Sequence, residues 1–166
     1  EPYVANKEKI LYAVRQLSAM IGPKAVVWRY DPIFITEKYS FEYHIKSFSK
    51  MAEMLCRWVS FCVISFIDLY EKTKRNFPQA RAVTELEQKQ IAKAFAAIGA
   101  CYGISIRTCC ENDSLKQCGV DTSGCMTKAV LEIATECQLS VPRKKRSLRG
   151  ACDCLLGNDI GMYHTC

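Results

Sequence analysis

The sequence predicts an α/β protein with a parallel sheet. Helical and strand patterns alternate in the order αβαβαβα. Strands separated by helices cannot pair as hairpins, so they lie side by side through right-handed crossovers. The strand segments are short and almost continuously apolar, as expected where both faces of a sheet are covered. Three strands fit either half of a (β/α) barrel or part of a doubly wound sheet.

The first helix is expected over 6–21, where Ile10, Leu11, Val14, Leu17 and Ile21 recur at helical spacing. Asn6 caps its start and Gly22-Pro23 stops it. Residues 25–35 (AVVWRYDPIFI) form a β-branched and aromatic run, a buried strand closed by Pro32, which lacks a ladder donor. The second helix spans 41–58, with Phe41, Ile45, Phe48, Ala52, Leu55 and Trp58 on one face. A second strand follows at 61–70, then a polar stretch around KTKRNFPQAR. Thr84 and Glu87 form a capping box that opens the third helix, whose apolar face carries Leu86, Ile91, Phe95, Ile98 and Tyr102. Residues 103–109 make the third strand and 126–137 a shorter helix. The β/α units thus occupy 1–140. Residues 141–166 form a basic, cysteine-containing tail expected to pack over the carboxyl ends of the strands.

A chain of 166 residues is about one domain. With 49% apolar and 24% charged residues it is neither a disordered chain nor a fibre. No apolar run reaches 18 residues, so no membrane partner is expected. Residue 1 is Glu, no export-like segment is present, and the chain stops at Cys166, so a processed chain or a piece of something longer is expected. Eleven cysteines are the anomaly, nine of them after residue 100. Beside long amphipathic helices, and odd in number, they point to a reduced, cytoplasmic protein rather than a disulfide scaffold. Cys56, Cys62, Cys101 and Cys137 fall on apolar faces and read as small buried hydrophobes.

In parallel α/β folds chemistry gathers at the carboxyl ends of the strands. Here those ends carry Arg29 and Asp31, then Asp68, then Cys109, Cys110 and Glu111. A guanidinium in an apolar strand needs a partner, which Asp31 or Asp68 can supply. The set reads either as a structural ion pair or as a polar site that grips a ligand carboxylate or phosphate through Arg29. Cys152 and Cys154 form a C-x-C pair that Cys109 and Cys125 would complete to four thiolates, enough for a metal. The run 143–149 holds five positive charges, close to the whole net charge of +6. Nucleic-acid binding there is a lesser expectation, because no aromatic residue interleaves the run. His44 lies in the second helix pattern and His164 near the last cysteine. No GxGxxG, P-loop, nucleophile elbow or HExxH motif occurs, which disfavours standard nucleotide-binding, serine-hydrolase and zinc-protease readings.

Four segments carry a family resemblance. They are residues 21–33 (IGPKAVVWRYDPI), residues 62–70 (CVISFIDLY), Thr108-Cys109-Cys110-Glu111, and the ending from Arg149 through Cys152, Cys154 and Asp159 to Cys166. In order and wording they resemble a bacterial family of unknown function, DUF1848, although Cys110 stands where that family usually has Ala. The resemblance implies a partial (β/α) barrel of the radical S-adenosylmethionine type, incomplete at its N-terminus. It also implies a [4Fe–4S] cluster, of whose three cysteine ligands only the first, Cys166, is present, and S-adenosylmethionine as cofactor. On that reading Arg29, Asp31, Asp68 and Glu111 line the cavity as catalytic residues, and Cys109, Cys125, Cys152 and Cys154 hold a separate metal over its mouth. The alternative is a non-catalytic zinc-stabilised α/β module. Neither substrate class, small molecule or macromolecule, nor reaction follows from the sequence.

Overall fold

The structure, a computed structural model, describes residues 5–141 and 153–155. Three parallel strands, β1 (Trp28–Ile33), β2 (Phe61–Phe66) and β3 (Ser105–Thr108), form one sheet in the order β1-β2-β3. Helix α1 (Lys7–Ile21) precedes β1, and α2 (Phe41–Leu55) joins β1 to β2. Helices α3 (Glu71–Asn76) and α4 (Glu85–Cys101) join β2 to β3, and α5 (Lys128–Thr135) follows after a 3₁₀ turn at Asp113–Cys118. The predicted alternation and parallel pairing are therefore present. The sheet is open: among the described residues no barrel closes.

Local chemistry explains most boundaries. Asn6, Ser40 and Thr84 each accept a hydrogen bond from the third backbone N–H beyond them, which starts α1, α2 and α4. At Thr84 the box is complete, since the Glu87 carboxylate accepts from the Thr84 backbone N–H at 2.9 Å and also takes Arg81 at 2.6 Å. Arg81, then the Thr84 backbone, hold Glu87 down at about 2 against an ordinary 4.5. A depressed carboxylate contributes stability above its unfolded value and loses it as pH falls. Glu87→Gln is accordingly expected to flatten the acid limb of the stability curve between about pH 4.5 and about 2, read as urea midpoint against pH. An unchanged limb would remove Glu87 as its source.

Two short elements escape the sequence reading. Helix α3 has no side-chain cap bond and buries nothing, and the 3₁₀ turn buries only Leu115. Neither is long enough to show a helical period. Some expected boundaries move as well. The first strand is 28–33 rather than 25–35, and it runs through Pro32 to Ile33. β1 pairs only with β2 among the described residues, its register shifts between Tyr30 and Ile33, and the Asp31-Pro32 peptide is cis. An edge strand tolerates the missing donor. The second strand stops at Phe66, and Trp58 lies beyond the end of α2, half-buried.

The sheet has two unlike faces. In register, Trp28, Cys62 and Ile106 line up, as do Tyr30, Ile64 and Thr108. These side chains join Phe48, Ala52 and Leu55 of α2 and Ile91, Ala92 and Phe95 of α4 in the main core. Trp28 stacks on Phe48 at 4.7 Å and Phe48 on Phe95 at 3.8 Å. α4 rides so close that a Cβ on Gly99 would overlap the Ile104 carbonyl oxygen and stand 2.9 Å from Ile106 Cδ1. Helix α1 adds Leu11 and Val14 on this same side, while Ile10, Leu17 and Ile21, expected on its apolar face, are exposed. Leu86 is exposed too, as the first turn of α4 projects past the sheet. Cys62 is fully buried and Cys56 packs on the core, but Cys101 and Cys137 are exposed: Cys101 turns away from the face on which Gly99 and Tyr102 meet the core, and Cys137 lies past the end of α5. The opposite face carries Arg29, Val63 and Arg107 in one row, with Phe61 before it and Asp31 and Ser65 beyond. Among the described residues it is covered by a small cluster in which Cys125, in the loop before α5, and Val130 of α5 pack on Phe61 and Val63, with Cys109 and Cys154 against them.

A fourth partial unit continues the sheet. Asp121 forms a single parallel bridge with Arg107: the Thr108 N–H donates to the Asp121 carbonyl and the Asp121 N–H to the Ile106 carbonyl, both at 2.9 Å. The 3₁₀ turn that leads to it packs on α4, so this crossover also passes over the helix face.

Candidate functional site

The site grows from the pleat of β1. Side chains two residues apart share a face, so Arg29 and Asp31 both leave the helix layer and meet each other. Arg29 Nε donates to Asp31 Oδ2 at 3.1 Å and Nη2 to the same oxygen at 2.5 Å. Ser65, the next strand's residue on that face, donates its hydroxyl to Asp31 Oδ2 at 3.4 Å. Arg29 is less buried than an apolar strand suggested, its side chain being 44% exposed. Burial opposes its charge, yet hydrogen bonds to Asp31, Cys125 and Cys109 outweigh that and keep the guanidinium more firmly protonated than usual. Of the two partners open in the sequence, Asp31 is the one it takes.

Beside this pair lies a pocket of about 370 Å³ lined by Arg29, Asp31, Ser65, Asp68, Tyr70 and Cys109, among others. Tyr70 donates its hydroxyl to Asp68 Oδ2 at 3.0 Å. Three of the four predicted catalytic residues, Arg29, Asp31 and Asp68, thus share one pocket at the carboxyl end of β1 and β2. Glu111 stands at the same end of the sheet without lining that pocket, where its carboxylate accepts the Phe66 backbone N–H at 2.8 Å and so finishes β2. A larger open groove of about 910 Å³ runs along Ile35, Tyr39, Phe77 and Arg81. It contains no thiol and none of Arg29, Asp31 and Asp68, so the smaller pocket is where their chemistry can act.

The thiols converge behind this pocket. Cys109 follows β3, anchored by its N–H to the Ile64 carbonyl at 3.0 Å. Cys125 sits in the loop before α5, its side chain buried, with its sulfur 3.5 Å from Cys109 Sγ and 3.7 Å from Cys154 Sγ. Cys154 is held by the Met126 N–H at 3.1 Å, and the next residue returns a bond, Leu155 N–H to the Met126 carbonyl at 2.8 Å. Burial, then Cys125, push the Cys109 thiol up, and Arg29 works against them. No disulfide joins any of the nine described cysteines. Tetrahedral zinc with sulfur ligands at about 2.3 Å sets its sulfurs roughly 3.8 Å apart, so both measured edges suit a mononuclear thiolate site. Among the described residues, however, no three His, Cys, Asp or Glu side chains close around one point as a metal centre. Cys125 is the shared neighbour of the other two sulfurs. Cys152, the fourth expected ligand, and Cys166 lie outside the described residues, as do the basic run 143–149 and His164.

Two features went unread in the sequence. His44 is buried, with Tyr30 Oη 2.9 Å from Nδ1 and the Phe34 carbonyl 2.9 Å from Nε2, which assigns the ring proton to Nε2 and makes Nδ1 the acceptor. Arg107 is paired with Asp121 at 3.0 Å and lies over the Phe61 ring at 5.4 Å. Burial alone would raise Asp121, but hydrogen bonds from Ser123 and the charge of Arg107 hold it below its ordinary value. An Arg two residues before a strand end was the available signal for that pair.

No helix among the described residues is long and apolar enough to cross a membrane. No curated protein and no solved structure matches the chain. One family model does, over all of residues 1–166: the chain belongs to the family described as a domain of unknown function, DUF1848.

Proposed function

We propose that this chain is part of a (β/α)-barrel-like metalloenzyme whose substrate pocket opens beside a mononuclear thiolate metal site. One observation carries the metal: Cys125 stands 3.5 Å and 3.7 Å from two other thiols that come from different parts of the chain. Cys109, Cys125 and Cys154, with Cys152 as fourth donor, would hold the ion. Bound there, a borderline-soft cation such as zinc fastens residues 153–155 across the sheet and supplies positive charge beside the pocket. Thiolates of a [4Fe–4S] cluster sit on separate irons and stand farther apart, so this set suits a single ion rather than such a cluster. The barrel reading is supported by the sequential strand order and by the crossovers from β1 to β2 and from β2 to β3, which pass over one face. On it, the face with Arg29, Asp31, Ser65 and Arg107 is the barrel interior. Arg29 would orient an anionic group of the substrate, and Asp31 and Asp68 would hold its polar or cationic parts.

The reaction class of the proposal is that of radical S-adenosylmethionine enzymes, supported by the family resemblance, with Cys166 as one cluster ligand. Reduced thiols in such number favour a reducing, cytoplasmic compartment. A second reading, a zinc-stabilised module without chemistry, is favoured by the two bonds that tie Met126 to Cys154 and Leu155. Metal analysis and visible absorption of the anaerobically purified full-length protein separate them, because Cys166 is only one of the three cluster ligands that the resemblance implies. One zinc per chain with brown, thiolate–iron absorption near roughly 400 nm supports the enzyme. One zinc in colourless protein supports the module, and protein with no metal overturns both.

A further inference from the structure

Cys125 also touches two other sulfurs, and neighbouring thiols can do chemistry without a metal. Cys109 lines the pocket, Cys125 is 7% exposed, and Cys154 is half-buried. Their separations of 3.5 Å and 3.7 Å leave about 1.5 Å to close before a disulfide bond of about 2.05 Å forms. Cys125 contacts both of the other sulfurs, so it can pass an oxidation from Cys109 to Cys154.

We propose that the metal-free protein reduces small disulfides in this pocket and relays the oxidation along Cys109, Cys125 and Cys154. The inference rests on the convergence of the thiols and not on any metal being bound. In the first step the Cys109 thiolate attacks one sulfur of an external disulfide. A mixed disulfide forms at Cys109, the external S–S bond breaks, and one small thiolate leaves. Cys125 then attacks the Cys109 sulfur, forms the 109–125 bond and expels the second small thiolate. Finally Cys154 attacks the Cys125 sulfur and returns Cys109 to the thiol. Overall two protein thiols become one disulfide, one external disulfide becomes two thiols, and the two protons lost by the protein thiols pass to those two small thiolates. The end state links Cys125 to Cys154, next to the pair of bonds that already joins their segments at Met126. Pocket size and contents select the substrate class: about 370 Å³ with Arg29, Asp31 and Asp68 at its wall admits a low-molecular-weight disulfide that bears both carboxylate and ammonium groups.

The test treats the full chain, stripped with a chelator, with oxidised glutathione, then blocks remaining thiols by alkylation and maps the peptides. Wild type is expected to lose two alkylatable thiols per chain and to yield a 125–154 link. Cys154→Ser is expected to stop at a 109–125 link, and Cys125→Ser at a glutathione adduct on Cys109. Cys109→Ser is expected to slow formation of the 125–154 link by about tenfold or more, because the pocket thiol is gone. Adducts confined to exposed Cys101 and Cys137, or a 125–154 link that forms at the same rate without Cys109, would overturn the relay. Zinc content of the untreated protein is measured in parallel. A metal-bearing protein that forms no link when stripped removes the relay alone, and a metal-free protein that forms it removes the metal site alone.

Discussion

Cys125→Ser is expected to lose the bound metal altogether, while Cys101→Ser keeps one ion per chain. Cys125 is the shared neighbour of Cys109 and Cys154, so its sulfur would contribute two edges of the proposed tetrahedron, whereas Cys101 is exposed at the end of α4. A hydroxyl in its place cannot supply a soft thiolate at neutral pH, and the remaining donors hold zinc far more weakly. Metal that binds only the folded chain stabilises it by about 4 kcal/mol at a thousandfold excess over Kd. For a chain of this size about 2–4 °C accompanies each kcal/mol, so the midpoint of Cys125→Ser should fall by on the order of 10 °C in zinc. The same chelator that lowers the wild-type midpoint should leave the variant's midpoint where it is. Retention of one ion per chain by Cys125→Ser would move the metal to another set of residues. A chelator-insensitive wild type would dissociate the thiols from stability.

The parts of this site that the sequence disclosed are those whose demand is local. Arg29 in an apolar strand requires an acid, which narrowed the partner to Asp31 or Asp68; the pleat, which sets residues two apart on one face, accounts for its taking Asp31. Thr84 and Glu87 announce a helix start by spacing alone. The crowding of late cysteines pointed at Cys109, Cys125 and Cys154 before any contact was known. What stayed hidden depends on register. Ser65 reaches Asp31 because β2 pairs with β1 in one particular alignment, and Glu111 finishes β2 from a loop 45 positions away. Asp121 joins the sheet through a single bridge, too short to leave a strand pattern. His44 looked like a residue at a helix edge, because nothing in its own helix says that Tyr30 will be opposite. Cys101 and Cys137 misled for a different reason: Cys101 lies on α4 but off the face that Gly99 and Tyr102 press on the core, and Cys137 lies past the end of α5.

Phe95→Ala is the core substitution expected to cost most, and its effect should reach the pocket. The Phe95 side chain has no exposure and fills the space between α2 and α4, stacked on Phe48 at 3.8 Å and met edge-on by Tyr30 at 5.3 Å. Deleting a buried phenyl ring loses its transfer free energy and leaves a cavity that flanking helices fill only in part, about 3–5 kcal/mol in all. Native stabilities are about 5–15 kcal/mol, so that is a large fraction of the total. Leu86→Ala, nine residues earlier on the same helix but exposed, should change stability by no more than about 0.5 kcal/mol. The urea midpoint is expected to drop sharply for the first and stay for the second, with the slope unchanged in both. Tyr30 connects this loss to function. It lies between Arg29 and Asp31 in β1, and its ring rests on both Phe48 and Phe95 while its hydroxyl donates to His44. A looser ring lets that stretch of β1 move relative to β2, and the Ser65–Asp31 contact spans those two strands. Phe95→Ala should therefore also expose the pocket thiol, seen as faster alkylation of Cys109 under native conditions than in wild type. Equal alkylation rates at full loss of stability would mean that the helix layer supports the fold without positioning the pocket.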